Sequence, residues 1–366
     1  MVSPSPSFAV STRIFPGLGV RHSLVEHIRV LQATRVALVG DGGLARLGLL
    51  GPFEEAISNA VGIELVQVAH SDIDPTINAT EKLAAVLSDL DVDLVIGVGG
   101  GSALSLAKGA ALLLRNPNPL VRYSEGVNIA ANAPVPTIAI PTTAGSGAEV
   151  SSTFVLYDSE DVRSRGFTGH GYEPNIALLD GELLAGLPEV PMRDAALDAY
   201  SHAFEALWGR RATSFSTLAA FDALERIRTL LPRVLEDRRP DDLQGLLEAS
   251  TLANIACGNA GLGLVHALTS SSHMHIAHGR QNGVALPHVA HFNQPLLSVA
   301  AASEVDLIHP FYDAIDAPVR FRPDEVPEGA AEAMVTAALA SPLLANNVRP
   351  ADSDQLLELA RLVTSV

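Results

Sequence analysis

The chain has 366 residues and a hydrophobic content of 48%, enough to bury substantial cores, and its length favours two domains over one. Lysine and arginine together number 24 against 41 aspartates and glutamates. The resulting formal charge of -17 argues against nucleic acid or an anionic membrane surface as a partner, since both need a basic patch to neutralise them. A single cysteine, Cys257, allows neither an internal disulfide nor a cysteine-rich zinc site and reads as a buried small hydrophobe. With an N-terminal MVSPSPSFAVSTR that lacks a basic start and an apolar run, and no apolar stretch near the roughly 20 residues of a membrane span, the expected compartment is the cytoplasm.

Along the first 190 residues, short β-rich runs alternate with helical ones. Strands are expected at Arg35 to Val39, Ile63 to Ala69, Leu94 to Val98, Thr137 to Ile140 and Ile176 to Leu179, which is a parallel α/β pattern. Breakers follow three of them: Gly40-Asp41-Gly42-Gly43, Gly99-Gly100-Gly101-Ser102 and Pro141-Thr142-Thr143. Ligands of open α/β sheets bind where strands end. Beyond Leu187-Pro188-Glu189-Val190-Pro191 the apolar spacing changes to three and four, which predicts helices over Asp194 to Trp208, Ser216 to Leu231, Asp242 to Asn259 and Ser353 to Val363. The expected architecture is therefore an α/β N-terminal domain with a parallel Rossmann-like sheet, residues 1–190, followed by an all-α C-terminal domain, residues 191–366.

Three glycines, Gly99, Gly100 and Gly101, join a buried strand to a helix beginning near Ser102. Such a turn lets backbone N–H groups approach a phosphate at the positive end of the helix, although a purely structural turn has the same sequence. A second strand runs into Thr142, Thr143 and Ser146, whose hydroxyls suit a phosphate or a carboxamide, or simply cap the next element. Two such loops fit a dinucleotide. Asp41, after the first strand, is placed to accept from a ribose hydroxyl and to repel a 2′-phosphate, which favours NAD over NADP; alternatively it only braces the glycine turn.

In DAALDAYSHAFEAL, Asp198 and His202 stand four residues apart on a helical pattern and so share one face, where a carboxylate and an imidazole suit Fe²⁺ or Zn²⁺. The same spacing also occurs in surface pairs. Half of the chain's twelve histidines fall in one later stretch, as His266, His273, His275, His278, His288 and His291. That concentration points to a metal or a proton relay without saying which of them bind.

The ordered set of motifs resembles the iron-containing, or group III, alcohol dehydrogenases of the dehydroquinate-synthase-like superfamily, over nearly the whole chain. The resemblance is carried by the GGGS-x5-K run from Gly99 to Lys108, PTTAGSGAEVS, IALLD, DALDAYSHAFEA, the VHAL to HG to LPH series, and ANNVRP near Asn346. It implies metal ligands Asp198, His202, His266 and His278, cofactor pyrophosphate on Gly99 to Ser102, nicotinamide contacts on Thr142 and Thr143, and adenosine ribose near Asp41. The implied activity is hydride transfer between NAD(H) and a small-molecule alcohol or aldehyde, with the metal polarising the substrate oxygen, in a homo-oligomer, most simply a dimer. A dehydroquinate-synthase-like cyclase or lyase, or a catalytically impaired binding homologue, are the rival readings.

Several positions depart from the family pattern. Ser105 stands where many relatives have aspartate, Asp74-Pro75-Thr76 replaces Asn-Pro-Thr, and the lysine usual after the second glycine loop is absent, with Arg163 and Arg165 nearby as substitutes. Position 270 is a serine instead of the further histidine many relatives carry, which leaves His273 and His275 as proton-relay candidates beside His278.

Overall fold

The computed structural model describes residues 7–124, 130–161, 163–271 and 276–364. These fall into two compact units, one of residues 10–143 and 147–186, the other of residues 7–9, 144–146 and 187–364.

The first unit is built on a six-stranded sheet, with β1 (Arg13–Pro16), β2 (Arg35–Asp41), β3 (Glu64–Ser71), β4 (Leu94–Gly99), β5 (Thr137–Pro141) and β8 (Ile176–Leu179). Their order is β1-β8-β5-β4-β2-β3 and every pairing is parallel. Side chains alternate between two separate cores. Val36 and Leu38 of β2, with Leu94, Ile96 and Val98 of β4, pack against Leu24, Ile28, Phe53 and Ile57 on one face. Ala37 and Val39, with Val95, pack against Leu87 and against Leu106, Ala107, Ala110 and Ala111 of the Gly101–Leu113 helix on the other. Burial on both faces is why these strands read as unbroken apolar runs.

All five expected strands are present, each reaching as far as predicted or a residue or two further at its carboxyl end. Two features carried no such signal. The edge strand β1 is four residues long and only partly buried. The antiparallel pair β6 (Thr153–Asp158) and β7 (Arg163–Thr168) is a two-stranded ribbon that buries Phe154, Leu156 and Phe167 on one face.

The second unit is helical. Its central helix, Glu189–Trp208, is buried from Met192 to Trp208 except at Ala195, as expected of a segment apolar on most faces. It starts earlier than the apolar spacing predicts, because Pro191 sits in its first turn, where the missing N–H has no partner to lose. The Ser214–Glu236, Pro240–Ala260 and His278–Asn293 helices surround it. Among the described residues, no helix is long and apolar enough to cross a membrane.

Candidate metal centre

The Glu189–Trp208 helix carries Asp198, His202 and Glu205, all buried, with Asp198 and His202 one turn apart. Nε2 of His202 lies 3.8 Å from Oδ1 of Asp198, and Nε2 of His266 lies 3.8 Å from the same oxygen. Nε2 of His278 approaches it to 4.0 Å. The rings of His202 and His266 stack with centroids 4.8 Å apart. Three imidazole nitrogens thus face one buried carboxylate at separations too long for hydrogen bonds.

His266 belongs to the short Leu264–Leu268 helix, and Glu205 fixes it there. Oε1 of Glu205 accepts from the Val265 backbone N–H at 2.6 Å, and Oε2 stands 2.6 Å from Nδ1 of His266. A carboxylate at Nδ1 keeps the proton on that nitrogen and turns the Nε2 lone pair toward Asp198. Burial pushes the His266 pKa down and Glu205 outweighs it, so the imidazole is more basic than usual.

His278 opens the His278–Asn293 helix and is the exposed member, with 58% of its side chain accessible. The glycine after it has a packing reason. A Cβ on Gly279 would lie 2.4 Å from the Asp194 carbonyl oxygen, and one on Gly283 would lie 2.9 Å from Cβ of Leu197. Bare backbone at both positions lets this helix close onto the Asp198 helix. One turn beyond His278, Asn282 is fully buried, and its Nδ2 lies 2.7 Å from Oδ1 of Asp198, 2.9 Å from Nε2 of His266 and 3.0 Å from Nε2 of His278.

The donor set fits a divalent cation. One ligand atom each from Asp198, His266 and His278 lies within 4.8 Å of the others. His202 stands beside them with its Nδ1 buried and without a hydrogen-bond partner among the described residues. Burial pushes the Asp198 carboxyl up, but the three imidazoles and the Asn282 amide outweigh it and hold it below the usual value. Burial also lowers His202 to about 4, which keeps its lone pair available for a metal. Glu205 and Asn282 were not singled out in the sequence; the signal lay in their spacing, seven residues after Asp198 and four after His278.

The glycine and threonine loops gather at the carboxyl ends of β2, β4 and β5, which are neighbours in the sheet. From β2 the chain moves outward to β3 and then returns to β4, so the strand order reverses between β2 and β4. Gly99 has φ of 151°, and a Cβ there would meet Cβ of Ala103 at 2.8 Å and Cβ of Asp41 at 2.9 Å. Gly100 caps the Gly101–Leu113 helix, whose first turn includes Ser102. The Thr142 N–H donates to the Gly99 carbonyl at 3.1 Å, and the Thr143 hydroxyl lies beside Gly100. Oδ1 of Asp41 caps the Gly42–Arg46 helix, accepting from Gly43 N–H at 2.7 Å. Ser146 groups with the helical unit, where the Gly145 carbonyl accepts from Asn254 at 2.7 Å.

Comparison with known proteins decides the family. A sequence profile described as iron-containing alcohol dehydrogenase matches residues 11–181, and one described as the C-terminal part of the Fe-containing alcohol dehydrogenase family matches residues 193–305. The chain is 30% identical to a sulfoacetaldehyde reductase of Bilophila wadsworthia, over 77% of this chain and 73% of that protein. The chain belongs to the iron-containing alcohol dehydrogenase family. It is also 29% identical to an NAD-dependent methanol dehydrogenase of Bacillus methanolicus, over 76% of this chain and 73% of that protein. The crystal structure of a 1,3-propanediol oxidoreductase superposes with a TM-score of 0.90 at 25% identity, covering 97% of this chain and 99% of that one.

Several departures from the family pattern have a structural account. Thr76 caps the Ile77–Asp89 helix through Ala79 N–H, and the Asp74 N–H donates to the Ser102 hydroxyl. Arg165 is held by Asp158 and Asp161, and Arg163 pairs with Asp161 at 3.2 Å, so both arginines serve the β6–β7 ribbon. The Ser270 hydroxyl donates to the Ala267 carbonyl at 2.8 Å, closing its own helix end. His273 and His275 lie outside the described residues. Arg210 and Arg211 bind the Asn346-Asn347 segment, through Arg210 Nε to the Asn347 carbonyl and Arg211 N–H to Oδ1 of Asn346.

Proposed function

We propose that this family member transfers hydride between NAD(H) and a small alcohol or aldehyde, with Asp198, His202, His266 and His278 holding one Fe²⁺ or Zn²⁺. The observation that carries the reading is the buried Asp198 carboxylate faced by three imidazole Nε2 atoms at 3.8 to 4.0 Å. When bound, the cation supplies Lewis-acid polarisation of the substrate oxygen and the nicotinamide supplies or accepts the hydride. Glu205 keeps His266 in the ligating tautomer, and His278, the accessible member, marks the side from which substrate arrives. His273 and His275 are proton-relay candidates from their place in the sequence.

For the cofactor, backbone N–H groups of Gly100, Gly101 and Ser102 at the helix start are the proposed pyrophosphate donors, with Thr142, Thr143 and Ser146 serving the nicotinamide end. Asp41 sets NAD above NADP by repelling a 2′-phosphate. The relatives' names favour the same chemistry, since one is an NAD-dependent methanol dehydrogenase and another reduces an aldehyde.

An aldehyde and alcohol screen with NADH and NAD on metal-reconstituted protein tests the proposal. Net oxidation of NADH is expected, and His266→Ala should lose both metal and turnover. A protein that holds metal yet exchanges no hydride with any aldehyde or alcohol overturns the reading, and a strong NADPH preference overturns the role of Asp41. We also propose a homodimer in the cytoplasm, checked by the solution mass and by cell fractionation.

A further inference from the structure

We propose that Asn282 competes with the metal for its ligands and so sets how fast and how tightly this protein takes up its cation. The proposal rests on the metal-centre reading above. Its basis is a convergence: Nδ2 of Asn282 lies 2.7 Å from Oδ1 of Asp198, 2.9 Å from Nε2 of His266 and 3.0 Å from Nε2 of His278, atoms of the same three residues that form the candidate cluster.

The orientation of the amide follows from its neighbours. A carboxylate oxygen is acceptor-only, so only the NH₂ end of Asn282 can face Asp198 at 2.7 Å. The other end is consistent with this, since Oδ1 of Asn282 accepts from the hydroxyl of Thr269, which is itself buried. Glu205 occupies Nδ1 of His266, so Nε2 of that ring presents a lone pair to the amide.

Two consequences follow from counting. An NH₂ group has two hydrogens, enough for Oδ1 of Asp198 and Nε2 of His266 together. More important, Nε2 of His266 has a single lone pair, which cannot serve an amide hydrogen and a cation together, whereas the Asp198 carboxylate has lone pairs for both. Cation uptake therefore requires the Asn282 amide to release Nε2 of His266, and that hydrogen bond is lost on the way. Full burial and the Thr269 hydrogen bond restrain the amide from leaving.

The competition gives a sign that a supporting role does not. A residue that merely braced the ligands would bind metal better when present; a competitor binds metal worse. Asn282→Ala is expected to bind Co²⁺ roughly fivefold more tightly, the equivalent of one amide–imidazole hydrogen bond no longer opposing the ion, and to take it up faster. Thr269→Val, which leaves Asn282 in place but frees its carbonyl end, should show a smaller change in the same direction.

The experiment adds Co²⁺ to chelator-stripped protein and follows visible absorption by stopped flow, with affinity from competition against a chelating dye and folding checked by circular dichroism. Tighter and faster uptake by Asn282→Ala with Thr269→Val between it and the parent supports the proposal. Unchanged or weaker Co²⁺ binding by folded Asn282→Ala overturns it while leaving the metal centre intact. If Asn282→Ala does not fold, Thr269→Val decides alone by the sign of its change. A parent protein that binds no Co²⁺ overturns the metal-centre reading itself, and this proposal with it.

Discussion

Oε2 of Glu205 stands 2.6 Å from Nδ1 of His266, and both side chains are buried. Two residues of one carboxylate and one imidazole, drawn from separate helices, thereby decide which nitrogen of His266 is free. Glu205→Gln keeps the shape but offers one acceptor oxygen to two donors, so either the Val265 N–H or Nδ1 of His266 meets the NH₂ end. Metal affinity is expected to fall roughly 10–100-fold, the usual cost of losing such a partner, measured by chelator competition. An affinity within a factor of two of the parent would remove Glu205 from the metal centre.

Gly279 is where the His278–Asn293 helix passes the Asp194 carbonyl, at a distance that leaves no room for a methyl group. Gly279→Ala must shift the helix start, and His278 with it. The expected result is a loss of about 1–3 kcal/mol of stability, typical of overpacking, together with weaker metal binding. Urea unfolding and metal titration check it; an unaltered midpoint would mean the two helices have slack there.

Lys108 is the end of the glycine-loop motif, yet its ammonium points into the protein and donates to the carbonyls of Ala148, Ser151 and Thr153 at 3.2, 2.6 and 2.9 Å. Burial pushes its pKa down to about 7, against Glu149 and Glu173, while three carbonyl acceptors favour the charged form. Lys108→Met removes the ammonium those carbonyls share, and stability is expected to drop by roughly 1–3 kcal/mol. Denaturant midpoints measure this, and a change below the error of the method would sink the account.

His202 gives a pH dependence with a defined sign. Burial lowers its pKa from 6.5 to about 4 in the folded chain. Between those values the unfolded chain binds a proton there that the folded chain refuses, so its contribution is fully present above 6.5 and is lost as pH falls toward 4. Thermal melts of chelator-treated protein from pH 7 down to 4.5 should show this decline. His202→Gln should flatten it; an equally steep decline in the variant would assign the effect elsewhere.

The sequence by itself determined five of the eight described strands in their order along the chain, the glycine and threonine loops at their ends, and the face shared by Asp198 and His202. Each of these is local: a doubly covered strand must be apolar throughout, and residues four apart on a helix must point the same way. Even the start of the Glu189–Trp208 helix was blurred only by Pro191, which the first turn accommodates. The tertiary structure decided what periodicity cannot specify, namely which helix faces meet. It brought His266 and His278 to Asp198 and sent His288 to the Val319 carbonyl instead. It also turned Glu205 onto His266 and Asn282 onto three ligand atoms at once. Those roles exist only where three separate helices pack, because a buried polar side chain takes its function from the partner that satisfies it.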